Sequence, residues 1–106
     1  MSYTVGNWQT ATIADEGTTS GEIDLGRPCD YLQVIIPTID AATIKVTVSD
    51  ASGGTFVNLG SGVTTVSGTG NYATTFKLGH YQFIKLVTSA TQSTSAVSFK
   101  VRGMRI

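Results

Sequence analysis

The sequence predicts an all-β protein, organised as a single two-sheet antiparallel β-sandwich or jelly-roll-like domain of seven or eight strands. Apolar and polar residues alternate with a period of two along most of the chain, and no segment has a clear helical period of 3.6. Thr accounts for 17 of the 106 residues, and this β-branched residue fits a pleated surface. The 12 glycines, with Asn and Asp, supply turn signals about every eight to twelve residues, as in sandwich folds.

The alternation assigns the strands in chain order. They are expected at residues 8–14, 20–25, 31–36, 43–49, 55–59, 72–78, 82–88 and 97–102. The segment 60–71 is rich in Gly, Ser and Thr, and the sequence leaves open whether it is an edge strand or a long loop. The inward faces of the strands predict the core, which comprises Leu32, Val34, Ile44, Val46, Val48, Phe99 and Val101.

Three positions are expected to interrupt this pattern. Pro28 fixes its own φ and restricts Arg27 before it, so a break is expected between the second and third strands. Residues 79–81 are expected to form a turn. After Gly103 the apolar residues move to even positions, which predicts a β-bulge at this glycine.

The length of the chain is that of one domain, predicted over residues 8–106 after an N-terminal arm at residues 1–7. Cys29 is the single cysteine and is expected to be a small buried residue rather than a reactive thiol. The longest apolar run covers residues 34–37, and no secretory signal pattern opens the chain. We therefore expect a soluble protein, made in the cytoplasm, with no membrane contact.

The charges are segregated along the chain. Residues 1–53 hold all seven carboxylates and two cations, a net charge of −5, whereas residues 54–106 hold five cations and no carboxylate. Such an asymmetry bears on association rather than on fold. Five dispersed cations on a neutral chain do not predict direct nucleic-acid binding.

No catalytic or metal-binding constellation is evident. His80 is the only histidine and lies among turn residues, and no His, Cys and carboxylate spacing matches a zinc site. Asp50 opens a Gly-containing loop with one carboxylate where a calcium loop would have several. We therefore expect a protein that is not an enzyme and uses no cofactor or metal.

Five residues are the predicted partner contacts: Trp8, Tyr72, Lys85, Lys100 and Arg102. The three cations would lie side by side if the last two strands pair, although the sequence favours an ordinary solvated face, or pairing with the acidic strands of the same fold, over a basic contact patch. Trp and Tyr are enriched at protein interfaces. With Tyr31 and Tyr81, the two aromatic contacts could instead form a platform for stacking sugars, which the sequence favours less than a core or interface role.

The order of the segments resembles small β-sandwich virion structural proteins of tailed bacteriophages. The resemblance covers most of the chain, in residues 10–14, 20–26, 34–37, 42–49, 53–57, 83–91 and 97–105. It implies a capsid decoration or cement subunit on the capsid surface of the virion. The implied partners are the major capsid protein or another virion protein, together with further copies of the chain, with a trimer favoured.

Other functions remain open at this stage. The aromatic set would suit a carbohydrate-binding module or the receptor-binding domain of a fibre or tail. An adaptor or inhibitor domain that binds a partner through a sheet edge is a third possibility, and a hydrolase is the least favoured.

Overall fold

The computed structural model describes residues 4–39, 42–59, 64–65, 70–92 and 96–105, with the side chains of Thr4, Thr64, Thr65 and Tyr72 outside the description. Within these residues there are nine strands and no helix. The strands are β1 (Thr4–Val5), β2 (Gln9–Ile13), β3 (Gly17–Thr19), β4 (Ile23–Thr38), β5 (Ile44–Ser49), β6 (Val57–Asn58), β7 (Thr64–Thr65), β8 (Gly70–Gln92) and β9 (Val97–Arg105). The all-β prediction is therefore confirmed.

All strand pairs are antiparallel, and the hydrogen-bonded path runs β1-β9-β4-β8-β5-β6. β2 adds to β9, β3 adds to β8, and β7 adds to β5. The long strand β8 gains a partner along its length, because residues 70–77 pair with the second half of β4, whereas residues 83–84 pair with the beginning of β4 and residues 83–88 pair with β5. It therefore joins a front layer (β1, β2, β9, residues 31–38 of β4 and 70–78 of β8) to a back layer (β3, β5, β6, β7 and residues 83–92 of β8).

The two layers enclose one core. Buried side chains from β2 and β9 in the front layer and from β5 in the back layer belong to one apolar cluster, although β5 is not hydrogen-bonded to either strand. All seven predicted core residues are buried, and Phe99 is fully so. A hydrogen-bonded sheet whose inner face packs on itself gives a sandwich-like fold.

The predicted breaks at Pro28 and at residues 79–81 are irregularities within single strands instead of loops between strands. In β8, Gly79 and His80 have φ values of 71° and 79°, and the strand continues beyond them. In β4, Gly26 has φ 84°, and the register against β8 shifts on both sides of Cys29. The shift moves the buried positions from odd to even numbers, which lets one strand serve both layers.

The predicted β-bulge at Gly103 is wrong. β9 pairs with β4 without a register shift from Tyr31↔Met104 to Ile35↔Lys100, and Gly103 stays on the buried face. The extra residue lies on the opposing N-terminal segment, because Val5 pairs with Met104 while Gln9 pairs with Val101. Gly103 is a glycine because a Cβ there would overlap the Cys29 sulphur.

The structure describes parts of two further regions, the predicted N-terminal arm and segment 60–71. Thr4 and Val5 pair with β9, and the division into an arm at residues 1–7 and a domain at 8–106 stays a prediction. Of segment 60–71, only residues 64–65 and 70–71 are described, and Thr64 and Thr65 pair with β5. In the part of the chain that the structure covers, no helix has the length and apolar character needed to span a bilayer.

Candidate binding surface on the front layer

The outward side chains of the front layer form three cross-strand rows, which we call the basic face. The rows are Trp8, Arg102, Gln33 and Thr75; Thr10, Lys100, Ile35 and Ala73; and Met104, Tyr31 and Lys77. Trp8 joins the first row because Gln9 pairs with Val101, which brings the preceding residue beside Arg102. Strand alternation aims these side chains outward, because most of the intervening residues are in the core, among them Ala11, Leu32, Val34, Phe76 and Val101.

The charge of this face has one sign. It carries Lys77, Lys100 and Arg102, and none of its rows contains a carboxylate. The described carboxylates lie in the β2–β3 turn, at or near the start of β4, at the β4 irregularity and after β5. Two large apolar side chains are also exposed on the basic face: Trp8 is 41% exposed and Ile35 is 42% exposed. The face therefore combines positive charge with uncovered apolar surface.

Arg102 is held in place at the centre of the face. Its Nε donates a hydrogen bond of 2.6 Å to Gln33 Oε1, and its guanidinium carbon lies 4.3 Å from the centroid of the Trp8 ring. Such a cation–π contact contributes about 0.5–1 kcal/mol at an exposed site. Beside Arg102 lies a groove of about 280 Å³, whose walls include Trp8, Ile35 and Thr75.

Of the five predicted contacts, Lys85 lies in the back layer, and the prediction for Tyr72 falls on a side chain outside the described part. The last two strands do not pair, because β4 lies between β8 and β9, so the premise for a face of three adjacent cations is wrong. Lys85 pairs with Thr47 in the back layer, and its Nζ lies 4.5 Å from the Phe56 ring centroid. The Tyr72 backbone pairs with Ile36, while its side chain lies outside the described part.

Trp8, Lys100 and Arg102 do come together, along with residues that the sequence reasoning did not select. Lys77, Gln33 and Ile35 complete the basic face. The sequence contained a signal for two of them, because Gln33 and Ile35 alternate with the core residues of the most apolar strand and must therefore face away from the core. What the sequence could not supply was the order of the strands.

Two of the carboxylates of the acidic half hold backbone turns. Glu22 accepts 2.7 Å hydrogen bonds from Gly53 N–H and from the Ser52 hydroxyl, which fixes the loop after β5. These bonds lower the pKa of Glu22, the backbone bond contributing most. Asp24 Oδ1 accepts hydrogen bonds from the Gln82 side chain and from Gly26 N–H, and both bonds lower its pKa.

The remaining reactive side chains lie elsewhere. His80 Nδ1 is 3.5 Å from Asp30 Oδ1 at the irregularities of β8 and β4, and the His80 side chain is 55% exposed. Cys29 is buried, and burial raises the pKa of its thiol, with Arg105 and Arg27 acting in the opposite direction. A cavity of about 270 Å³ adjoins it. No cluster of three or more His, Cys, Asp or Glu side chains occurs among the residues described.

Against known proteins, no family model matches the sequence, and no curated protein sequence matches it either. The structure is similar to that of the SPBc2 prophage-derived protein YomS, with a TM-score of 0.56 and 15% identity over 92% of this chain and 91% of YomS. It is also similar to part of a family 89 glycoside hydrolase from Clostridium perfringens, with a TM-score of 0.54 and 11% identity over 91% of this chain. The chain spans 14% of that hydrolase's length. At these identities the likenesses show a shared fold.

Proposed function

We propose that this protein is a non-enzymatic structural component of a bacteriophage virion, and specifically a capsid decoration subunit that bridges neighbouring capsid proteins. The observation that carries the proposal is the basic face, which joins three cations to exposed apolar side chains without a carboxylate. Charge complementarity of this kind orients a partner and excludes wrong ones. An acidic surface on the capsid is the partner that this face fits.

Two further observations support the phage assignment. The segment order resembles small virion proteins of tailed phages, and the fold is shared with a prophage-derived protein over nearly the full length of both chains. The similarity to the glycoside hydrolase is limited to a small part of that much larger chain. It supports the view that this fold can be one module of a larger protein.

The area of the basic face determines how strongly a single copy could bind its partner. Four strands about 4.8 Å apart and three rows about 6.7 Å apart give an area of about 400 Å². A stable interface buries about 800 Å² on each partner, so a single copy would bind the capsid weakly. Three linked copies would offer about 1,200 Å² and bind through multivalency. We therefore favour a homo-oligomer, with a trimer first, that binds several capsid subunits and opposes their separation.

The test uses phage particles that lack the protein. Adding the purified wild-type chain should restore binding to the capsid surface and raise the resistance of the particles to heat and osmotic shock. Binding should weaken as salt rises, because exposed charges are screened within about 10 Å at 0.1 M salt. Particles that bind nothing, or that bind without any gain in resistance, would contradict the cement role.

A matched pair of variants tests the surface. Lys100→Glu reverses a charge within the basic face, and Lys45→Glu reverses one in the back layer on β5. Lys100→Glu should abolish most capsid binding while Lys45→Glu retains it. Equal binding by both variants would show that the basic face is not the contact. Light scattering on the purified chain measures its oligomeric state in solution.

A second candidate is a carbohydrate-binding module or a receptor-binding domain of a fibre or tail. The observation that favours it is the partly exposed Trp8 ring beside the groove. Arg102 covers one face of this ring, and Tyr81 pairs with Cys29 outside the rows of the basic face. Binding on a glycan array that Trp8→Ala abolishes would support this candidate, whereas an array with no binding would leave the capsid role preferred.

A further inference from the structure

The guanidinium of Arg102 is positioned before any partner arrives. Gln33 Oε1 fixes its Nε at 2.6 Å, and the Trp8 ring supports its plane at 4.3 Å. These contacts use one of the five N–H donors of the guanidinium. In the part of the chain that the structure describes, no hydrogen bond or ion pair engages the four donors on the two Nη atoms. The two Nη groups of Arg102 therefore form a fork whose plane is fixed and whose N–H donors have no partner among the described residues.

Such a fork selects for a carboxylate. The paired Nη groups match the two oxygens of a carboxylate, and the resulting charge-assisted bonds are about twice as strong as neutral ones. Because the side chain is already ordered, less conformational entropy is lost on binding than with a free arginine. Lys100, two residues away on the same strand face, adds a second positive charge at about 7 Å.

The groove beside Arg102 limits the kind of ligand to which that carboxylate can belong. Its volume of about 280 Å³ lies just below the range of small-ligand sites, which begins at about 300 Å³. Ile35 and Ala73 give it apolar walls that suit methylene groups. A sugar would need an aromatic face, and Arg102 already covers one face of Trp8. The occupied face of Trp8 and the apolar walls therefore fit an aspartate or glutamate side chain better than a sugar ring.

We propose that this groove is the anchor point of the basic face and receives an acidic side chain of the partner protein, with its carboxylate bound by the two Nη groups of Arg102 and its methylenes packed on Ile35. This inference rests on the proposed function, because it names the chemistry of the capsid contact. Trp and Arg are the residue types that most often dominate protein interfaces.

The first experiment needs no capsid. The ¹⁵N-labelled full chain is titrated with N-acetylglutamate, and its diamide, N-acetylglutamine α-amide, which has no carboxylate, serves as the neutral probe of nearly the same shape. The signals of the Arg102 Nε–H and the Trp8 indole N–H should shift with the acid and not with the amide, and Arg102→Met should remove the response. Equal shifts with both probes, or no shift with either, would overturn the proposal. Tighter binding of glucuronate than of N-acetylglutamate would assign the groove to acidic sugars and overturn the choice of a protein partner.

The second experiment measures capsid binding by variants whose folding is first checked by thermal melting. Arg102→Met should weaken binding about 10- to 150-fold, which corresponds to about 1.5–3 kcal/mol for hydrogen bonds to a charged group. Arg102→Lys keeps the charge but lacks the fork, and it should lose most of the same factor. Lys45→Met, in the back layer, should bind as the wild type does. Wild-type affinity in Arg102→Lys would show that charge alone suffices and would overturn the proposal.

The two proposals fail in different ways. If the wild-type chain does not bind capsids at all, the decoration role fails, and the titration with N-acetylglutamate still decides whether Arg102 is a carboxylate site. If the wild-type chain binds and Arg102→Met binds equally well, the role stands and the anchor fails.

Discussion

Replacement of Gly103 by alanine tests the packing that joins the last strand to the irregular part of β4. An ideal Cβ at Gly103 would overlap the Cys29 sulphur, and it would lie 3.1 Å from Cys29 Cβ and 3.4 Å from Leu25 Cδ1. All three residues are buried, so the added methyl group cannot turn toward solvent. Gly103→Ala should therefore destabilise the fold through overpacking.

Two opposing effects set the magnitude. Overpacking of a core by one methyl group costs about 1–3 kcal/mol. Removal of a glycine from a strand interior returns about 0.5–1 kcal/mol, because the unfolded chain loses freedom. Because the added Cβ would overlap the sulphur outright, the overpacking cost should be in the upper half of its range, and Gly103→Ala should lower the free energy of unfolding by about 1–2 kcal/mol. In a Cys29→Ala background the sulphur is absent, so the same substitution should be close to neutral.

Urea unfolding of the wild type, the two single variants and the double variant completes a double-mutant cycle. The cycle should give a coupling energy of about 1–2 kcal/mol, with the double variant more stable than the sum of the single effects predicts. Additivity within about 0.5 kcal/mol is the behaviour of sites that do not touch. Such additivity here would refute the contact between Gly103 and Cys29 as the reason for the glycine.

Three further substitutions, two of them with a matched control, test other parts of the molecule. Phe99→Ala should lower the free energy of unfolding by about 3–5 kcal/mol because Phe99 is fully buried, whereas Val57→Ala should change little because Val57 is 55% exposed; urea unfolding measures both. Glu22 has a lowered pKa in the folded state, so it contributes stability above its unfolded pKa, and this contribution is lost as pH falls through the lower folded value. Glu22→Gln should flatten the stability–pH curve in that acid window, and an unchanged curve would contradict the assigned hydrogen bonds. Lys100→Gln should alter the free energy of unfolding by less than about 0.5 kcal/mol yet weaken capsid binding more than Lys45→Gln does, as unfolding and binding assays on the same samples would show.

Local patterns predicted the part of the fold that depends on one strand at a time. The alternation in β5 and β9 placed Val46 and Phe99 in the core, and both are buried. A period of two determines which side chains share a face without reference to any other strand. The same reasoning misjudged residues 79–81, because a positive φ at Gly79 and His80 is compatible with a turn and equally with a kink inside a strand.

Strand order, by contrast, required information that no local pattern holds. Lys85 and Lys100 both alternate outward, so they looked equivalent in the sequence. They lie in different layers because Lys85 is in the second half of β8, which pairs with the beginning of β4 and with β5, whereas Lys100 on β9 pairs with the second half of β4. Pairings of this kind depend on contacts between residues far apart in the chain, and their choice reflects the packing of the whole core. The topology therefore separates Lys85 from the other two predicted cations, Lys100 and Arg102.

The segregation of charge along the chain and the charge of the basic face have different origins. β4 belongs to the acidic half of the sequence, yet its second part supplies Tyr31, Gln33 and Ile35 to the basic face. That part contains no charged side chain, and the carboxylates of β4 are Asp24, which precedes the register shift, and Asp30, which lies within it. The face is basic because an uncharged stretch of β4 lies between the cations of β8 and β9, and this placement leaves Arg102 beside the neutral Gln33. A carboxylate at that position would satisfy the guanidinium from within the chain, whereas the glutamine orients it and leaves its charge for a partner.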